Sequence, residues 1–221
     1  AVCGNPSTRH GIILAKNEAA KHFQVKTAET IWQARKKCPD LILLPSHHHK
    51  YRHYSKLVNG IYQRYTDLVE PFGIDESWLD VTGTLHLFGK NGRELADELR
   101  EVIRTELGLT ISVGVSYNKV FAKLGSDYKK PDATTVIAPS NWQSIVWPLP
   151  VSDLLFVGRA SQRILHRYGI ETIGQLAHAD RAMLEEVMGK QGAQFHDYAW
   201  GRGDNPVRPA GDRPPPKSIG N

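Results

Sequence analysis

Two adjacent carboxylates, Asp75 and Glu76, stand at the head of GIDESWLDVTG (73–83), whose Ile74, Trp78, Leu79 and Val81 are all apolar. In a partly buried setting such a pair repels itself unless a cation compensates it. No Lys or Arg falls between residues 65 and 89 to do so. A hard divalent cation fits, Mg²⁺ by preference, because it takes a few carboxylate oxygens and leaves the rest of its shell to phosphate and water. The competing reading is a solvated turn.

A second set of charges lies in NKVFAKLGSDYKKPD (118–132). Lys119 and Lys123 are one helical turn apart, and Lys129 and Lys130 close the segment. They form either a solvated helix face or a phosphate-facing edge. Carboxylates that hold metal beside a lysine that reaches phosphate suit phosphoryl or nucleotidyl transfer. In FVGRASQRILHRYGIETIGQLA (156–177), Gly158 precedes Arg159, Arg163 and Arg167 at four-residue spacing. This reads as an ordinary helical hairpin or as a helix-hairpin-helix, which aims backbone N–H groups at nucleic-acid phosphate without reading sequence. His47, His48, His49 and His53 read as polar surface, since three consecutive histidines cannot all face one ion. The five tryptophans are scattered and read as core or hinge anchors. No P-loop motif occurs.

The elements that must position these groups follow from periodicity. GIILA, LILLP, residues 73–83, ISVGVSY and TTVIAP read as strands, with LILLP buried. NEAAKHF, residues 27–39, a long segment from 46 to 71, residues 93–107 and 118–130 read as helices. From about residue 140 strands cease and helix pairs take over, until a Pro-rich linker begins after Pro206. The fold class is α+β, with a largely antiparallel sheet and helices on one face. Cys3 and Cys38 make neither a disulfide framework nor a zinc site, which points to a reducing, cytoplasmic compartment. No apolar run is long enough to span a membrane. The net charge of +5 permits a polyanionic partner without requiring one.

VEPFGIDESWLDVTG, GLTISVGVSYNKVFAKLGSDYKKPD and YGIETIGQLA together resemble the Y-family translesion DNA polymerases, of the bacterial DNA polymerase IV type. The first two motifs are highly specific, and the resemblance runs through nearly the whole chain. It implies fingers over residues 1–46, a ferredoxin-like palm over 47–139, an all-α thumb over 140–208 and a linker over 209–221 towards a little-finger domain. It carries two Mg²⁺ ions to Asp75 and Glu76, and triphosphate binding to Lys130. In the fingers, Glu18 and Lys21 stand where the family often has a Tyr and an Arg. Lys21 still serves a phosphate, as a point charge rather than a fork. DNA contacts fall to Gly158, Arg159, Arg163 and Arg167, with Phe156 in place of the first glycine of the family's turn.

The implied activity is low-fidelity, template-directed DNA synthesis in lesion bypass and repair. Its partners are primer-template DNA, dNTP and a sliding clamp reached through a C-terminal segment outside these residues. The family's first catalytic aspartate belongs to an N-terminal strand that this chain does not contain. A core fragment, inactive alone, is therefore expected. Two rivals are a non-catalytic DNA-binding relative and a palm-type nucleotide cyclase, the latter disfavoured by the helix pairs after residue 140.

Overall fold

The computed structural model describes residues 1–6, 11–203 and 205–212. Most of the Pro-rich linker, from residue 213 onward, lies outside these. The chain divides into two compact units, 1–54 and 55–221. The break falls inside a helix, somewhat beyond the first boundary read from the sequence.

The first unit contains β1 (Val2–Cys3), β2 (Ile13–Ala15), α1 (Glu18–His22), α2 (Ile31–Lys37) and β3 (Leu44–Pro45). The strand order is β2-β1-β3, antiparallel to β2 and parallel to β3. Asn17 caps α1, and Thr30 with Gln33 forms a capping box on α2. Cys3, Ile13, Ala20, Val25, Ile31, Ala34 and Cys38 make the core, and both thiols are free. The segment LILLP is not the buried strand its composition suggested. Leu41 and Leu43 pack inward, whereas Ile42 and Leu44 are exposed. A short strand alternates its faces, and only one of them meets this small core.

Helix α3 (His48–Tyr62) carries the chain into the second unit. There follow β4 (Val69–Pro71), β5 (Ser77–Leu79), α4 (Leu85–Phe88), α5 (Gly92–Leu107), β6 (Val113–Ser116), α6 (Lys119–Tyr128) and β7 (Thr134–Ile137). Helices then run alone among the described residues: α7 (Trp142–Val146), a 3₁₀ turn (Val151–Asp153), α8 (Arg159–Arg167), α9 (Ile173–His178), α10 (Arg181–Met188) and α11 (Lys190–Ala199). The α+β class holds, but a single sheet does not form. β4–β5 is an antiparallel pair, and β6–β7 is a separate parallel pair joined by α6 as crossover.

Two cores hold this unit. Ile61, Tyr65, Leu95, Leu99 and Ile103 join α3 to α5, as the helical stripe on 93–107 predicted. The larger core runs unbroken from Val120, Phe121 and Leu124 on α6 into the helices after residue 140. Trp142, Trp147 and Trp200 gather around it. Trp147 Nε1 donates to Ala199 O at 3.2 Å, and Trp200 Nε1 donates to Ala177 O at 2.7 Å. These three tryptophans are thus core anchors, as expected, whereas Trp32 is half-exposed beneath the Lys36 ammonium.

Gly114 explains how α6 lies so close to β6. A Cβ there would fall 1.9 Å from Ala122 O and 2.5 Å from Ser126 N. Val113 and Val115 project from the other face of the strand, where Val115 comes close to Gly92 of α5.

Candidate active site

Asp75 and Glu76 sit in the turn between β4 and β5. The N–H groups of Phe72 and Gly73 both donate to Glu76 O, at 2.9 and 3.3 Å. This closes the turn and fixes the backbone from which the two carboxylates project. Asp75 is exposed and makes no ion pair among the described residues. Glu76 is half-buried, and its Oε1 accepts from Lys123 Nζ at 2.9 Å. The cationic partner missing from residues 65–89 therefore exists, supplied by α6 from far along the chain. Asp80 turns elsewhere, accepting the N–H of Thr82 at 2.9 Å.

The pairing continues. Lys123 also meets Asp127, and Asp127 Oδ1 lies 2.5 Å from Lys130 Nζ. Glu76, Lys123, Asp127 and Lys130 form a chain of alternating sign. Burial alone would push the Lys123 ammonium towards the neutral form, but its bonds to Asp127 and Glu76 prevail and its pKa is raised. Burial alone would raise the Asp127 carboxyl, but Lys123 and Lys130 hold it below the usual range. Asp127 was not a sequence candidate. The signal was present in its i,i+4 spacing from Lys123.

Of the six charged groups picked out of the sequence here, Asp75, Glu76, Lys123 and Lys130 line one cleft of about 460 Å³, and Lys119 and Lys129 do not. Leu79 on β5 and Val113 and Val115 on β6 line it too, over Leu95 and Leu99 of α5. Among the described residues, β5 and β6 are each laddered on one edge only. The cleft thus lies between two ladders and has an apolar floor. Tyr62 also lines it, with its phenol pushed up to about 12 by burial, so its hydroxyl remains a neutral donor.

Gly158 is the N-cap of α8, with no side chain to bond the first N–H groups. Those donors are free for a ligand. Arg159, Arg163 and Arg167 are exposed and make no ion pair among the described residues. The element before Gly158 is the 3₁₀ turn. The tight connection between two helices falls later, at Gly169, with φ +72°, and the buried Ile170.

The family model described as "impB/mucB/samB family" matches residues 1–127. DNA polymerase IV of Acetivibrio thermocellus is 50% identical over 221 residues, covering all of this chain and 55% of that protein. The chain belongs to the impB/mucB/samB family. DNA polymerase IV 1 of Bacillus subtilis is 39% identical over 209 residues, covering 95% of this chain and 50% of that one. Among solved structures, DinB from Sulfolobus solfataricus superposes with a TM-score of 0.84 at 28% identity, over 93% of this chain and 60% of that one. An insertion ternary complex of Dbh DNA polymerase gives 0.83 at 27% identity, over 93% of this chain and 60% of that one. The chain spans about half the length of the curated relatives it matches. The Y-family resemblance carried by its motifs is therefore a family relationship.

Within this impB/mucB/samB chain, Lys119 does not join the phosphate-facing edge. Its Nζ lies 2.5 Å from the buried Glu70, which also accepts from the backbone N–H and the guanidinium of Arg208, at 2.9 and 3.0 Å. Lys21 lies in the first unit, exposed on α1, 3.5 Å from Glu18 on the same helix. Among the described residues no group of three or more His, Cys, Asp or Glu is placed to hold a metal ion. None of their helices is long and apolar enough to cross a membrane.

Proposed function

We propose that this chain is the core of a translesion DNA polymerase, acting in the cytoplasm on primer-template DNA and dNTP, with residues 1–46 as fingers, 47–139 as palm and 140–208 as thumb. The observation that carries the reading is the shared cleft, which collects two carboxylates and two lysines beside two open strand edges. Oxygen donors from Asp75 and Glu76 fit Mg²⁺ as part of a ligand set, since Asp75 is open to solvent and unpaired. Mg²⁺, when bound, lowers the pKa of the primer 3′-hydroxyl and neutralises charge on the leaving pyrophosphate.

The chain's own residues do the rest. Glu76 and Asp127 hold the Lys123 ammonium charged at the cleft wall. Lys130 exchanges its Asp127 contact for the triphosphate, and Lys21, exposed on α1 of the first unit, is that unit's own candidate for a phosphate contact. Gly158 and α8, with Arg159, Arg163 and Arg167, take primer-strand phosphates. A sliding clamp is a partner of the whole protein.

Primer extension by the complete gene product tests this reading. Extension that needs Mg²⁺ and stops with Asp75→Asn supports it. A protein that binds DNA but extends no primer under any metal overturns it in favour of a non-catalytic relative.

A further inference from the structure

Phe156 holds a backbone conformation that its side chain resists. Its φ is +70°, the left-handed region in which a bulky residue is an outlier and glycine is at ease. Burial does not account for it, because the side chain is 53% exposed while its neighbours Leu154 and Val157 are buried. The strained residue is turned outward. Strain of this kind persists where the surroundings impose it, and it clusters at functional sites.

The ring stands between Tyr198 of α11, with centroids 6.5 Å apart, and the acid-bearing hairpin. It meets Phe72 edge-on, with centroids 6.1 Å apart. Phe72, itself 42% exposed, lies 4.6 Å from Trp78 on β5. Trp78 is fixed in turn by its Nε1 bond to Lys119 O at 3.0 Å. The aromatic row Phe156–Phe72–Trp78 therefore starts two residues before Gly158. It ends two residues after Glu76, on the hairpin that Phe72 and Gly73 close through Glu76 O.

We propose that Phe156 is a positioning residue, a strut that sets the distance between the N-terminus of α8 and the hairpin carrying Asp75 and Glu76. The proposal rests on the polymerase reading. A primer strand held by phosphate at Gly158 and by its 3′ end at the acidic pair spans this distance. The strut then decides whether the 3′-oxygen arrives in line for attack. Glycine at 156 would relieve the strain, so the side chain itself is what the turn retains.

The test uses Phe156→Gly, Phe156→Tyr, Phe72→Leu and the Phe156→Gly/Phe72→Leu double variant of the complete gene product. Phe156→Gly should leave the melting temperature within about 2 °C of the parent, or raise it. Its DNA affinity should stay within about twofold, while single-turnover incorporation falls about tenfold or more, since small misplacements of reacting atoms are costly. Phe156→Tyr should restore the rate. The double variant should be no slower than the slower single one, because both act through one contact. Parent-like incorporation by Phe156→Gly overturns the strut, as do independent losses that multiply in the double variant or a loss that follows melting temperature. A parent that extends no primer overturns the polymerase reading and the strut with it, a failure visible before any variant is made.

Discussion

Lys123 Nζ donates to Glu76 Oε1 at 2.9 Å, so a helix and a hairpin distant in sequence share one ion pair at the cleft wall. Asp75, the other member of the acidic pair, has no such partner among the described residues. Two adjacent carboxylates are thus in different electrostatic states before any ligand arrives.

Neutralising either acid should suppress chemistry rather than binding. Asp75→Asn and Glu76→Gln are expected to lower single-turnover incorporation by the complete gene product at least about a hundredfold. DNA affinity should stay within about twofold, since neither acid lies on α8 or the turn before it. Glu76→Gln should cost less than about 1 kcal/mol of folding stability, because Lys123 keeps Asp127. Incorporation within tenfold of the parent would remove the metal assignment.

Lys130 should report on nucleotide and not on duplex. Lys130→Ala is expected to raise the KM for dNTP by about 1–3 kcal/mol, roughly 5- to 150-fold, through loss of a charge-assisted contact. A titration of dNTP at saturating DNA measures it. A change confined to DNA affinity would reassign Lys130 to the duplex surface.

The arginines on α8 should appear in the salt dependence of DNA binding. Each of Arg159→Gln, Arg163→Gln and Arg167→Gln is expected to reduce the slope of log K against log salt by about 1 if it meets a phosphate. Fluorescence anisotropy across a salt series reads the slope. An unchanged slope would place that arginine off the DNA.

Glu70 should govern acid stability. Burial alone would raise its carboxyl, but hydrogen bonds from Lys119 and Arg208 hold it at about 2, below the ordinary 4.5. A depressed folded pKa stabilises above the unfolded value, and that contribution disappears as pH falls from about 4.5 towards 2. It amounts to about 3 kcal/mol. Chemical denaturation between pH 2 and 7 should show this loss, and Glu70→Gln should flatten it. A variant with the parent's acid slope would place the effect elsewhere.

Gly114 should tolerate no side chain. Gly114→Ala sets a methyl 1.9 Å from Ala122 O, and the helix backbone cannot yield as a flexible side chain would. Destabilisation of about 1–3 kcal/mol or more is expected, measured by thermal unfolding. A variant as stable as the parent would mean that α6 shifts freely against β6.

Most elements were legible because their signals were local. The helical stripe on 93–107 and the cap at Asn118 need only neighbouring residues, whereas the caps Asn17 and Thr30 were not singled out. The acidic pair and Lys130, picked out by residue type and spacing, line one cleft. What stayed hidden depends on long-range pairing. Lys123 reaching Glu76, and Lys119 leaving the phosphate-facing edge for Glu70 and Arg208, join residues that no window of sequence holds together. The parallel pairing of β6 and β7 was missed for a similar reason, since alternation fixes faces but not partner direction.

The unbroken core that runs from α6 into the terminal helices bears on cooperativity. Phe121 stacks on Trp142 with centroids 5.5 Å apart, so β7's crossover helix and the first helix of the bundle after residue 140 share one apolar contact surface. A bundle excised at residue 140 would lose that surface and expose its aromatic side. Residues 55–212 should instead melt in a single calorimetric transition, with van't Hoff and calorimetric enthalpies in agreement. Any lesion in the bundle's packing, even one remote from DNA, then lowers the thermal survival of the acidic hairpin by the same amount.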